Sequence, residues 1–161
     1  MKATFLKPVF VRPVRLAVMA ALLAASSGCA TRTITRQQAS DAGEAWVKAF
    51  NSNNVEAVSA FYGQAPFFLP TISPKLIMDA ASTQEYFRGL FGSRPGIQAT
   101  IDTQEVALLG EEALLTGMGT FNWPTSTGQA AGTLKFRYSF VLQQTANGIQ
   151  VLHHHNSVLP Q

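Results

Sequence analysis

Three consecutive histidines, His153, His154 and His155, are the only imidazoles in this 161-residue chain. Imidazole changes charge near neutral pH and is a common metal ligand, so all such chemistry is concentrated in Val151-Leu152-His153-His154-His155-Asn156-Ser157. An Asn147-Gly148 pair and an apolar-alternating run precede it, a spacing that predicts the last strand of a hairpin. Alternation then puts His153 and His155 on one face and His154 on the other. Two residues of strand span about 6.6 Å, so His153 and His155 could flank a metal ion. A third ligand would have to come from elsewhere, and there is no other histidine and only one cysteine. No metal site and no cofactor are predicted.

Arg137 is the one strong cation expected in the sheet core, flanked by Phe136, Tyr138 and Phe140. Its fork suits a carboxylate ligand or a structural ion pair. Alternation opposes it to Tyr138, so it faces outward if the aromatics line a cavity. Trp46, Tyr62, Tyr86, Trp123 and Tyr138 supply aromatic surface for an apolar ligand. Asp79 and Asp102 are within reach of a cavity mouth but are expected to be solvated.

The start of the chain addresses compartment. Lys2, Lys7, Arg12 and Arg15 precede an apolar run at residues 16–25, then Ser26-Ser27-Gly28 and the single Cys29. Ten apolar residues fall short of the roughly 20 that span a bilayer. The pattern fits a secretory signal, and the cysteine after small residues fits a bacterial lipoprotein signal, with Ser26 where such signals usually carry Leu. Residues 1–28 are therefore expected to be removed and Cys29 lipidated. Residues 29–35 would tether the domain, anchored in the bacterial cell envelope at the periplasmic face of the outer membrane. Ordinary cleavage near Ala30, leaving a free thiol, is the alternative.

The signal carries four of the twelve basic residues and none of the nine acidic ones, so the mature part has eight against nine, a formal charge of −1. Such a balance gives no electrostatic footprint for nucleic acid. One cysteine permits no intrachain disulfide, so stability must come from packing. With 47% apolar and 13% charged residues, part of the apolar surface is expected to meet a partner or line a cavity.

Periodicity predicts helices at 36–51, at about 54–61 and after Ser82. Thr35 with Gln38 forms a capping box for the first, and Asn54 caps the second. Ser82 with Glu85 is taken as the box of the third, which Gly92 would end. Residues 65–69 form a short apolar strand. Four long strands follow at 97–109, 113–123, 133–145 and 149–159, an antiparallel meander bent by bulges or by Gly117 and Gly119. The class is α+β, a cone with a cavity at its wide end.

Gly132 through Val141, Asn147-Gly148, His153 through Ser157 and Pro160 together resemble the C-terminal hairpin of bacterial SnoaL-like proteins related to the calcium/calmodulin-dependent kinase II association domain. Leu69-Pro70-Thr71-Ile72-Ser73-Pro74-Lys75, Tyr86-Phe87 and Arg94-Pro95-Gly96 are similar to the same branch. The resemblance covers nearly all of residues 36–161. It implies the nuclear-transport-factor-2-like (NTF2-like) cone fold, usually dimeric, and carries no kinase activity, since no kinase domain is present. By the register of the association domain, His154 and Asn156 face the cavity, and His153, His155 and Ser157 face the outer or dimer side. Catalytic relatives place an aspartate near the end of the first strand, where this chain has Ala65-Pro66-Phe67-Phe68-Leu69 and no carboxylate. The superfold hosts both enzymes and binding modules.

These observations lead to an expectation of a lipid-anchored homodimer, associated through an outer face bearing Val151, His153, His155 and Ser157. It would bind a small, partly apolar molecule. Candidate ligand contacts are Trp46, Tyr62, Tyr86, Arg137, Tyr138, His154 and Asn156. The alternatives are a cofactor-independent cyclase, isomerase or dehydratase with His154 as acid/base and Tyr62 or Tyr138 as donor, or an assembly module without a ligand.

Overall fold

The computed structural model describes residues 33–160; the expected signal at 1–28 and Cys29 lie outside them. α1 (Arg36–Asn51) begins where the capping box predicts. Thr35 Oγ1 accepts from the Gln38 amide, and the Gln38 side chain accepts from the Thr35 amide. α2 (Val55–Ser59) is capped by Asn54, whose Oδ1 accepts from the Ala57 amide.

α3 (Ala80–Ser93) starts earlier than expected. Ser82 and Glu85 do not form its capping box. Asp79 is the cap, its carboxylate accepting from the Ser82 amide and hydroxyl. An ionised carboxylate is the stronger acceptor for the exposed N–H groups of a helix start. These bonds hold the Asp79 pKa below its usual value. Gly92 lies within the helix, whose C-cap is Arg94.

The strands are β1 (Tyr62–Leu69), β2 (Gln98–Leu109), β3 (Glu112–Trp123), β4 (Gly132–Thr145) and β5 (Gly148–Val158). Their order in the sheet is β1-β5-β4-β3-β2. β2 to β5 form the predicted antiparallel meander. The sheet as a whole is mixed, because β1 runs parallel to β5 along its edge. A parallel neighbour needs a long connection, and here α3 and the whole meander intervene.

Two bulges and two glycines bend this sheet. Asp102 is the unpaired residue of β2 and Leu152 that of β5. A Cβ on Gly117 would stand 1.9 Å from Thr103 O, and one on Gly119 would stand 2.5 Å from Phe136. Only glycine allows such close approach of the strands. α1 packs on β2 and β3, while α3 packs on β1 and α2. Between helices and sheet lies an aromatic core built around Trp46, Phe50, Phe68, Phe87 and Phe140.

The bulge at Leu152 overturns one expectation. Simple alternation puts Val151 outside with His153, but Val151 is buried, at 2% exposure. An extra residue resets the two-residue period, so Val151 and His154 both point into the core.

Candidate ligand pocket

His154 is 1% exposed and enclosed by rings. Phe68 stacks on it at 4.7 Å and 6°. Phe140 lies 4.2 Å away, and Trp46 meets it edge-on at 5.4 Å. β5 delivers the imidazole from the sheet, β1 the Phe68 ring and α1 the indole.

A hydrogen-bond relay fixes its tautomer. Trp46 Nε1 donates to Tyr62 Oη at 3.2 Å, and Tyr62 Oη lies 2.7 Å from His154 Nδ1. An indole N–H can only donate, so the Tyr62 oxygen accepts there, and His154 Nδ1 is the one acceptor left for the buried Tyr62 proton. Nδ1 is therefore an acceptor, and the neutral ring carries its proton on Nε2. Burial pushes the His154 pKa down to about 3, opposed by the nearby Asn156 amide and reinforced by His153 and His155. Burial also drives the Tyr62 hydroxyl well above its ordinary value, so it stays protonated.

His154 Nε2, Asn156 Oδ1 and Thr71 Oγ1 are buried and have no hydrogen-bond partner. All three residues line one pocket between α1, α3 and the inner sheet face. It encloses about 470 Å³ of free space, open solvent at its mouth included. The cavity proper is a narrow slot of about 40 Å³. Its walls are aromatic and aliphatic, with Trp46, Phe50, Tyr86, Phe87 and Phe121 prominent among them. Arg94 is the one charged residue in the lining, and no carboxylate belongs to it. Burial raises the Tyr86 pKa, an effect the Arg94 charge partly offsets.

Of the residues proposed from sequence, Trp46, Tyr86, His154 and Asn156 line this pocket. Tyr62 does not; it stands behind His154 and orients it. Tyr138 is on the inner face but away from the pocket, its hydroxyl donating to Gln104 Oε1 at 3.3 Å. Arg137 is on the other side of the sheet, exposed and donating to Ser157 Oγ at 2.8 Å. It cannot contact a ligand in this cavity, because its neighbours Phe136 and Tyr138 occupy the inner positions. Asp79 caps a helix, and Asp102 accepts from Thr120 Oγ1 on the exposed face. Among the described residues no three His, Cys, Asp or Glu side chains gather as a metal site.

Sequence reasoning missed Thr71 and Arg94 as pocket residues. Both stand in segments flanked by proline or glycine, where no periodicity tells which way a side chain points. The available signal was chemical: a cation at the end of an aromatic helical stripe, and a hydroxyl between Pro70 and Pro74.

The family model of the calcium/calmodulin dependent protein kinase II association domain matches residues 35–160. No curated protein matches the chain. Among solved structures, a Xanthomonas campestris protein assigned to the same association domain is similar over 78% of this chain and 88% of its own, at 23% identity and a TM-score of 0.70. An NTF2-like superfamily protein from Salmonella enterica is 14% identical, covering 78% and 91% of the two chains, with a TM-score of 0.67. A ketosteroid isomerase-like protein from Erwinia carotovora is 16% identical, covering 80% and 100%, with a TM-score of 0.65. At these identities the likeness shows the cone-shaped α+β fold.

Proposed function

The chain belongs to the calcium/calmodulin dependent protein kinase II association domain family, and from that premise we propose that it binds a small, partly apolar molecule in the pocket above His154. One observation carries this reading. Of the four buried polar atoms left without partners among the described residues, three line this pocket, and only Ser59 Oγ does not. An unpaired buried group costs about 1–3 kcal/mol, so three in one cavity call for a bound species that satisfies them. The Nε2–H offers a donor, Asn156 Oδ1 an acceptor, and the Thr71 hydroxyl either. A ligand with a hydroxyl, carbonyl or amide end and an apolar body answers all three.

Native mass spectrometry of protein isolated from its own host tests this. A co-purified small molecule is expected with the wild type and lost from His154→Ala, whose far-UV circular dichroism should remain that of the wild type. A ligand retained by the variant would contradict the assignment.

Solved neighbours include one named a ketosteroid isomerase-like protein. Proton abstraction is the weaker reading here. The pocket holds no carboxylate, the Nδ1 lone pair is occupied by Tyr62, and a pKa of about 3 makes the ring a poor base.

The same proposal includes a homodimer through the outer sheet face and a lipid anchor at Cys29 in the cell envelope. The dimer is supported by exposed Phe67, Leu69 and Met118 on that face. Sedimentation at micromolar concentration should give twice the monomer mass, and a monomer would remove that part. The anchor is supported by the basic, apolar and small-residue pattern before Cys29. Cys29→Ser should move the protein out of the membrane fraction, and equal retention would remove the anchor.

A further inference from the structure

We infer that Arg94 makes the pocket selective for amphipathic acids, with the ligand's carboxylate at Arg94, an aromatic or aliphatic body between, and its hydroxyl or carbonyl at His154 and Asn156. This rests on the pocket reading above and adds the chemical class. The pocket has a closed end and an open end. His154 and Asn156 are 1% and 7% exposed, whereas Ile72 is 46% exposed and Arg94 is half-buried. An arginine cannot shed its charge, so a half-buried guanidinium wants an anion. Among the described residues no carboxylate pairs with it; the single ion pair there is Arg88 with Glu85. Its only side-chain hydrogen bond goes to Ser93 Oγ, at a long 3.4 Å. The guanidinium is held over the Trp123 ring, 5.3 Å from its centroid, and Trp123 also lines the pocket. That stacking fixes the cation at the rim while leaving most of its five donors unused. Thus a stacked cation on the more exposed side and a buried neutral donor–acceptor pair belong to one apolar slot. A carboxylate is the anion whose geometry matches the guanidinium fork.

Arg94 is also the C-cap of α3, and a purely capping role would affect stability without affecting ligand choice. The test separates the two. Both tryptophans of the chain, Trp46 and Trp123, line the pocket, so intrinsic fluorescence reports occupancy. The probes are 4-hydroxybenzoate, 4-hydroxyphenylacetate and 4-hydroxycinnamate, each beside its methyl ester, titrated into protein from its own host after removal of any co-purified molecule. For the acid that fits, the wild type should bind at least tenfold tighter than to the ester, and the margin should shrink as salt is raised. Arg94→Gln should cut that margin below threefold by weakening the acid alone, and Arg94→Lys should keep part of it. Thermal unfolding of both variants checks that the fold survives. An acid-to-ester ratio unchanged by Arg94→Gln overturns the role of Arg94 while leaving the pocket standing. Failure of all six compounds to bind overturns the pocket reading and this inference together.

Discussion

The two faces of β5 carry the same residue type in neighbouring positions and put it to opposite uses. His154 is stacked between rings, hydrogen-bonded through one nitrogen and left with the other nitrogen aimed into a cavity. His155, one residue on, is exposed. His153 is partly exposed, its pKa lowered modestly by burial and by His155. What separates them is the pleat of the strand, together with one bulge that decides which parity is inside. Identity alone says little about such a tract; the face decides whether an imidazole is solvated or a neutral, preorganised donor.

Truncation gives the largest expected contrast between the faces. His154→Ala removes a buried ring and strips Tyr62 Oη of its acceptor, so it should cost about 2–4 kcal/mol in urea unfolding. Acid should separate the faces next. His154 has its pKa lowered on folding, so the unfolded chain binds the proton more readily. Its contribution is whole above about pH 6.5 and is lost progressively as pH falls toward about 3. Between pH 7 and pH 5 the wild type should lose about 2 kcal/mol through this one group. His154→Gln, though less stable at pH 7, should show a flatter profile over that range. An equally steep profile in the variant would move the effect to another residue. His155→Ala should give the smallest change, within about 0.5 kcal/mol, as exposed substitutions do. A large loss there under dilute, monomeric conditions would erase the distinction between the faces.

Much of this was legible because it is local. Thr35 with Gln38 marks the start of α1, Asn147-Gly148 marks the last hairpin, and alternation from the Asn147-Gly148 turn puts His154 and Asn156 on one side. The parts that were not legible depend on distant chain. Nothing near Tyr62 announces that β1 will lie parallel to β5, because that pairing closes across most of the domain. No glycine or proline stands at Leu152 to betray its bulge, and so simple alternation puts Val151 on the wrong face. Ser82 with Glu85 has the letters of a capping box, yet Asp79 upstream offers a better acceptor. As an aromatic, Tyr62 reads as pocket wall, whereas its hydroxyl positions His154 from one layer behind. Arg137 and Arg94 were indistinguishable as isolated cations; only the inward packing of Phe136 and Tyr138 removes the first from the pocket, and only the turn after α3 brings the second to it.

Ligand recognition in the pocket depends on His154 being a neutral imidazole that accepts at Nδ1 and presents Nε2–H to the cavity. Long-range proton–nitrogen NMR of the histidine side chains reads both properties for all three rings at once. The predicted result is an Nε2–H tautomer for His154 whose nitrogen shifts stay constant from pH 7.5 to pH 5. A His154 ring that carries its proton on Nδ1, or that titrates near pH 6, would contradict it.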